Sequence, residues 1–115
     1  MENLNSLLPI RENNGKKAVN ARALHAFLGS KRDFSTWIKD RIKSYDFTEG
    51  IDYVSFPGIV EREIGATTRI EYALTIGMAK ELSMVEGNEK GKQARKYFIA
   101  CEESRKELSR KEIQQ

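Results

Sequence analysis

The sequence predicts an α+β fold in which about four helices pack with short antiparallel strands, an N-terminal hairpin and a wing-like strand pair. An Asn-Gly pair at 14–15 lies between two short, partly apolar arms, and this dipeptide favours a hairpin turn because both central residues need positive φ. Two later segments alternate apolar and polar residues, as strands do. Elsewhere, apolar residues recur every three or four positions, which is the period of a helix.

The hairpin is followed by a short helix in the segment ARALHAFL. Asn20 is a good N-cap for it, and Gly29 suits the position just past its C-terminus. Leu24, Phe27 and Leu28 fall on one face, which we expect to be buried.

The clearest helix lies in SKRDFSTWIKDRIKSYDF. Ser30 and Asp33 resemble a capping-box pair at its start. The residues that recur at helical spacing are Phe34, Trp37, Ile38, Arg41, Ile42 and Tyr45. Trp37 is expected to anchor the core.

The two alternating segments, IDYVSF and TRIEYAL, predict strands. Between them lies PGIVEREIGAT, residues 57–67, which we interpret as a loop too long for a tight turn. Two strands joined by such a loop would form a wing beside the helical core.

Two helices are predicted to follow. Thr75 caps the first, whose apolar face holds Met78, Ala79, Leu82 and Val85. Gly87 ends it, and Asn88 can cap the last helix. That helix runs through Ala94, Tyr97, Phe98 and Cys101, with Tyr97 and Phe98 expected in the core.

Beyond Cys101 the sequence becomes polar, with only Leu108 and Ile113 as aliphatic residues. Such a segment cannot form a packed core by itself. We therefore predict a domain over residues 1–103 and a polar helical extension over 104–115. This extension would be a linker to an absent C-terminal domain or a partner-binding stalk.

Composition places the chain among globular proteins. Its 115 residues fit one domain, and no apolar run approaches the roughly 20 residues that span a bilayer. The N-terminus lacks the features of a signal peptide, and Cys101 is the single cysteine. We therefore expect a cytoplasmic protein without a membrane partner.

Catalytic and metal chemistry find little support. His25 and Cys101 alone supply no metal-binding spacing, and no G-x-S-x-G motif occurs. Gly87, Gly91 and Lys92 leave three intervening residues where a P-loop has four, and Gln93 stands where Ser or Thr would bind magnesium. We predict no enzyme, no metal and no cofactor.

The remaining indication of function comes from two basic clusters, in a chain whose net charge is +3. One cluster spans residues 31–43, where acids alternate with the cations; the other spans 90–96 without any acid and opens a helix, where an anionic partner is favoured. The candidate nucleic-acid-binding residues are Lys31, Arg32, Lys39, Lys43, Lys90, Lys92, Arg95 and Lys96. The alternative is that both clusters are solvated helix faces.

Longer motifs carry a family resemblance. VNARALHAFLGSKRDFSTWIKDRI, then GIDYV, then YALTIGMAKELSMVEGNEKGKQARKYFIACE resemble the AntA/AntB antirepressor domain of temperate phages and prophages, from about Val19 to Glu102. A more distant similarity extends to phage and viral modules of the KilA-N and BRO-N kind.

The resemblance implies a phage-encoded regulator that relieves repression of lytic genes in a bacterial host cell. It would act by engaging DNA, a phage repressor protein, or both. The alternative is a module that binds the repressor or its own copies as a homo-oligomer, without binding DNA. The resemblance supplies no catalytic residues.

Overall fold

A computed structural model describes residues 4–13, 15–62 and 65–114. Its elements in chain order are α1 (Leu4–Leu7), β1 (Ile10–Asn13), β2 (Lys16–Asn20), α2 (Ala21–Leu28), α3 (Phe34–Ser44), β3 (Tyr53–Arg62), β4 (Gly65–Leu74), α4 (Ile76–Glu86) and α5 (Glu89–Gln114). The predicted α+β class is confirmed. The described residues hold five helices where about four were predicted, since the single-turn α1 is too short to show a helical period.

The four strands form one antiparallel sheet in the order β1-β2-β4-β3. The N-terminal hairpin is confirmed, with Ile10 opposite Val19 and Asn13 opposite Lys16. Gly15 has a φ of 78°, which a residue with a side chain rarely adopts. Asn14, the other half of the predicted turn, lies outside the described residues.

The second hairpin is longer than predicted. β3 and β4 pair from Tyr53 opposite Leu74 to Arg62 opposite Gly65, whereas β2 pairs with β4 only at Val19 and Asn20. Most of the β3–β4 hairpin therefore projects past the rest of the sheet as a wing.

The prediction of a loop over residues 57–67 was wrong. Pro57 and Gly58 both belong to β3, although each residue type is poor in strands. Pro57 is tolerated because β3 is an edge strand, and Gly58 leaves room for a neighbour, since a Cβ there would lie 2.6 Å from Cγ of Glu71. Residues 63–64 of the predicted loop lie outside the described residues.

The helices cover one face of the sheet. Val19, Leu74, Tyr53 and Tyr72 point to this inner face, where the ring of Tyr72 lies 5.9 Å from that of Phe34 at the start of α3. The largest fully buried side chains are Trp37, Phe98, Leu8, Leu24, Leu28, Ile38, Leu74, Met78 and Leu82. The predicted core roles of Trp37 and Phe98 are confirmed.

Caps set the helix boundaries. Oδ1 of Asn20 accepts a hydrogen bond from the amide of Ala23 at 3.0 Å, and Gly29 ends α2 in the left-handed conformation, as predicted. Thr75 and Gly87 bound α4 in the same way.

The start of α3 differs from the predicted capping box. Asp33 is itself the N-cap and accepts from the amide of Thr36 at 2.9 Å, while the hydroxyl of Ser30 accepts from the amide of Arg32 at 3.3 Å. Ser30 thus stabilises the turn before the helix, and α3 begins at Phe34. Tyr45, predicted on the apolar stripe, lies just past the helix and is about half exposed.

Candidate nucleic-acid interface

A side chain of α2 holds the turn between α2 and α3. Nε2 of His25 and the carbonyl of Arg32 lie 2.8 Å apart, so the imidazole donates its Nε2–H to that oxygen. The same ring lies 5.6 Å from that of Phe34 and 5.1 Å from that of Trp37. His25 therefore links the loop before α3 to Phe34 and Trp37 at the start of that helix.

The first half of α3 buries one face and exposes the other. Phe34, Trp37 and Ile38 are buried in the core. The residues exposed on the opposite side, which we name the α3 outer face, are Ser35, Thr36, Lys39 and Lys43. This face carries hydroxyl groups in its first turn and cations further along, and these groups can contact base edges and phosphates.

The cations of the 31–43 cluster have different surroundings. Nη1 of Arg32 pairs with Oδ2 of Asp40 at 2.9 Å, and its hydrogen bond holds the pKa of Asp40 below its usual range. Within the described part of the chain, no ion pair involves Lys31, Lys39 or Lys43, all of which are exposed. Lys39 and Lys43 on the α3 outer face, and Lys31 just before the helix, are therefore cations available to an anionic partner.

Glu86 at the end of α4 fixes the inner side of α3. Its Oε1 accepts a hydrogen bond from Nε1 of Trp37 at 3.1 Å and lies 3.5 Å from Nη2 of Arg41. Lys39 and Lys43 lie about 200° and 240° around the helix axis from Trp37, so they point away from Glu86.

Glu71 joins the hairpin to α2. Its Oε1 lies 2.8 Å from Nε of Arg22 and 2.6 Å from Nε of Arg69, while Nη2 of Arg22 donates to the carbonyl of Ile70 at 3.2 Å. Burial raises the pKa of Glu71, but the hydrogen bonds and charges of the two arginines outweigh it and leave the pKa below its usual range. The guanidinium of Arg22 also lies 4.3 Å from the ring centre of Phe34, so the hairpin, α2 and α3 are held in one arrangement.

The 90–96 cluster is divided between two surfaces. Nζ of Lys90 lies 5.0 Å from the ring centre of Phe27 on α2. Lys92 and Arg95 line a cleft of about 380 Å³ against α4, and Lys96 falls on the same helix face by its spacing. Lys92 and Lys96 are exposed, whereas Arg95 is half-buried.

The order of these elements resembles that of a known DNA-binding arrangement. The helices α2 and α3 are joined by a short turn, and they lie between β2 and a hairpin whose second strand, β4, pairs with β2. In helix-turn-helix proteins, the second helix enters the major groove. Ser35 and Thr36 were not among the predicted site residues, although the helical period places them opposite Phe34, Trp37 and Ile38.

The family comparison covers this same region. The family model described as AntA/AntB antirepressor matches residues 19–88, which is more than half of the chain. The chain belongs to the AntA/AntB antirepressor family. The match runs from β2 to the cap of α5, and therefore includes α2, α3, the hairpin and α4.

No curated protein and no solved structure matches this AntA/AntB chain. Among the described residues, no group of three His, Cys, Asp or Glu side chains could hold a metal ion. No helix in the described part of the chain has the length and apolarity needed to cross a membrane.

Proposed function

We propose that this chain is the regulatory domain of a phage antirepressor, which relieves repression of lytic genes by binding duplex DNA through the α3 outer face. The family match supports the antirepressor role. The observation that supports DNA binding is that α3 is the second of two helices joined by a short turn, with its core-facing side bonded to Glu86 and its polar side exposed.

The chemistry of the surface fits this role. Ser35 and Thr36 lie in the first turn of α3, where side chains of a recognition helix reach base edges. Lys31, Lys39 and Lys43 would neutralise phosphates and release counterions.

The test measures binding to a fluorescent duplex of mixed sequence over a range of salt concentrations. Removing one phosphate-binding lysine lowers the slope of log K against log salt by about 0.9, so K39Q/K43Q should reduce the slope by about two and weaken binding. Circular dichroism would show that the variant stays folded, because both lysines are exposed.

A matched control uses the other basic cluster. K92Q/K96Q removes the same charge from exposed positions on α5. If α3 is the binding helix, this variant should keep a steeper slope than K39Q/K43Q. Loss of slope in K92Q/K96Q alone would move the DNA contact to α5, and absence of duplex binding at low salt would refute DNA binding.

A second candidate function is protein binding without DNA, either to the repressor or between copies of the chain. Val54 and Phe56 favour it, since both remain nearly half exposed on the side of the sheet away from the helices. A pull-down with the repressor from the same prophage tests it. A complex that survives K39Q/K43Q, together with no DNA binding, would favour this candidate.

A further inference from the structure

The sheet has a second face, which no helix of the described residues covers. Because Val19 and Leu74 point into the core, the alternation of the strands places Ala18, Ala73, Val54, Phe56 and Arg11 on the opposite side. We name these five residues, with Lys16 and Ile51 beside them, the outer sheet face. Val54 is 49 % exposed, Phe56 44 % and Ile51 73 %.

Two adjoining depressions lie in the outer sheet face and meet at Ala18 and Ala73. One, of about 370 Å³, has Arg11 and Phe56 in its lining. The other, of about 250 Å³, has Lys16, Ile51 and Val54 in its lining. Each depression therefore combines an apolar wall with a cation.

The cations of this face lack carboxylate partners. Arg11 and Lys16 are exposed, and neither forms an ion pair in the part of the chain that the structure describes. Glu71 lines the larger depression, but its carboxylate is already paired with Arg22 and Arg69. Glu49, near the start of β3, accepts hydrogen bonds from Ser55. The surface thus has an apolar centre and an unbalanced positive rim.

We propose that the outer sheet face binds a partner protein through a segment in which apolar residues alternate with Asp or Glu. The apolar side chains would fill the two depressions, and the carboxylates would pair with Arg11 and Lys16 at the rim. This inference goes beyond DNA binding by α3 and does not rest on it. It also specifies, for the second candidate function of protein binding, which surface would bind and what kind of segment it would recognise.

Charge argues against a second copy of the chain as the occupant. A twofold contact brings the same patch of both subunits together, so the cations of one rim would face an equally cationic surface. No carboxylate on the described part of that face is left to pair with them. An acidic segment of a different chain removes this repulsion.

The first half of the β3 edge, which borders the outer sheet face, is unsuited to strand addition, so we expect the partner to dock on the face. The outward amide of Ser55 already donates to Oε2 of Glu49 at 3.2 Å, and Pro57, the next residue pointing outward, has no N–H. Recognition then depends on side chains, which makes it accessible to mutation.

The experiment selects short random peptides displayed on phage against the immobilised full chain. Enriched peptides should combine apolar residues with two or more carboxylates, and synthetic versions should bind the protein in fluorescence anisotropy. V54S/F56S and, separately, R11E/K16E should each weaken that binding by about tenfold or more.

Matched controls separate this surface from the others. I70S removes an apolar side chain that is 51 % exposed on the opposite face of the same hairpin, and it should leave peptide affinity unchanged. K39Q/K43Q should also leave it unchanged, so the peptide result and the DNA result can fail separately. Thermal unfolding would confirm that each variant is folded.

Three outcomes would overturn the proposal. One is that no peptide is enriched, or that the enriched peptides carry no excess of acids. Another is that affinity is insensitive to V54S/F56S or falls equally in I70S. The third is self-association of the wild-type chain in sedimentation that V54S/F56S abolishes, which would assign the face to a homodimer.

Discussion

The indole nitrogen of Trp37 donates a hydrogen bond to Oε1 of Glu86 across 49 positions of sequence, at 3.1 Å. The same oxygen lies 3.5 Å from Nη2 of Arg41, so one carboxylate joins two residues of α3 to the end of α4. The side chains of Arg41 and Glu86 are 18 % and 12 % exposed, and this environment strengthens the contacts. Glu86 therefore fixes the position of α3 relative to the end of α4.

Replacing Glu86 with alanine should destabilise the domain by about 2–3 kcal/mol, because two largely buried donors are left without their acceptor. Glu86→Gln keeps an acceptor for Trp37 and should cost less, about 1 kcal/mol. Urea unfolding followed by Trp37 fluorescence measures both. Glu81→Ala, an exposed position of α4, is the control and should be neutral. Equal losses in E86A and E81A would contradict the role of Glu86.

Close approach of α4 and α5 depends on Gly91. A Cβ at this buried position would lie 2.5 Å from the carbonyl oxygen of Ser83, so Gly91→Ala must separate the helices. We expect a loss of about 1–3 kcal/mol, despite the better helix propensity of alanine. Thermal unfolding of the variant tests this.

Gly77 supplies the matched control for Gly91. It lies in α4, where a Cβ would meet nothing nearer than Oγ1 of Thr75 at 3.9 Å. Gly77→Ala should be neutral or stabilise by up to about 1 kcal/mol. A Gly91→Ala protein as stable as Gly77→Ala would show that the two helices can separate at no cost.

Asn88 holds the start of α5 in two ways. Its Oδ1 accepts from the amide of Gly91 at 2.8 Å, and its Nδ2 donates to the carbonyl of Leu28 at 3.2 Å. Asn88→Asp keeps the cap but removes the donor, whereas Asn88→Ala removes both. We expect stability to fall in the order wild type, Asp, Ala, with a total loss of about 1–2 kcal/mol. Equal stabilities of the two variants in urea would show that only one of the two hydrogen bonds matters.

Local signals explain most of what the sequence predicted. Asn20, Gly29, Thr75 and Gly87 act through backbone groups within a few residues of themselves, so their cap positions follow from residue type. The extent of β3 was missed because Pro57 and Gly58 interrupt the pattern, while the ladder that holds them comes from β4.

The candidate site shows the same division between local and long-range effects. The exposure of Lys39 and Lys43 follows from the helical period, since both lie off the apolar stripe. The position of Lys90 over Phe27 does not, because it depends on how α5 packs against α2. The separation of Arg41 from the other cations likewise depends on Glu86, which is distant in sequence.

Acid should weaken the contact between the hairpin and α2. Since the folded pKa of Glu71 lies below its ordinary value of 4.5, the stabilisation by its charge is fully present above about pH 4.5. It is lost as pH falls through the lower folded pKa. Glu71→Gln removes the titrating group, so the stability difference between wild type and variant should be about 1 kcal/mol or more at pH 7 and should shrink below pH 4.

Urea unfolding of both proteins between pH 3 and pH 7 measures that difference. Asp33, Asp40 and Glu49 also have lowered pKa values, but they titrate in both proteins and cancel in the comparison. A difference that stays constant over this range would mean that Arg22 and Arg69 do not stabilise the Glu71 carboxylate. The hairpin would then be held against α2 by packing and backbone contacts, of which the bond from Arg22 to the carbonyl of Ile70 is one.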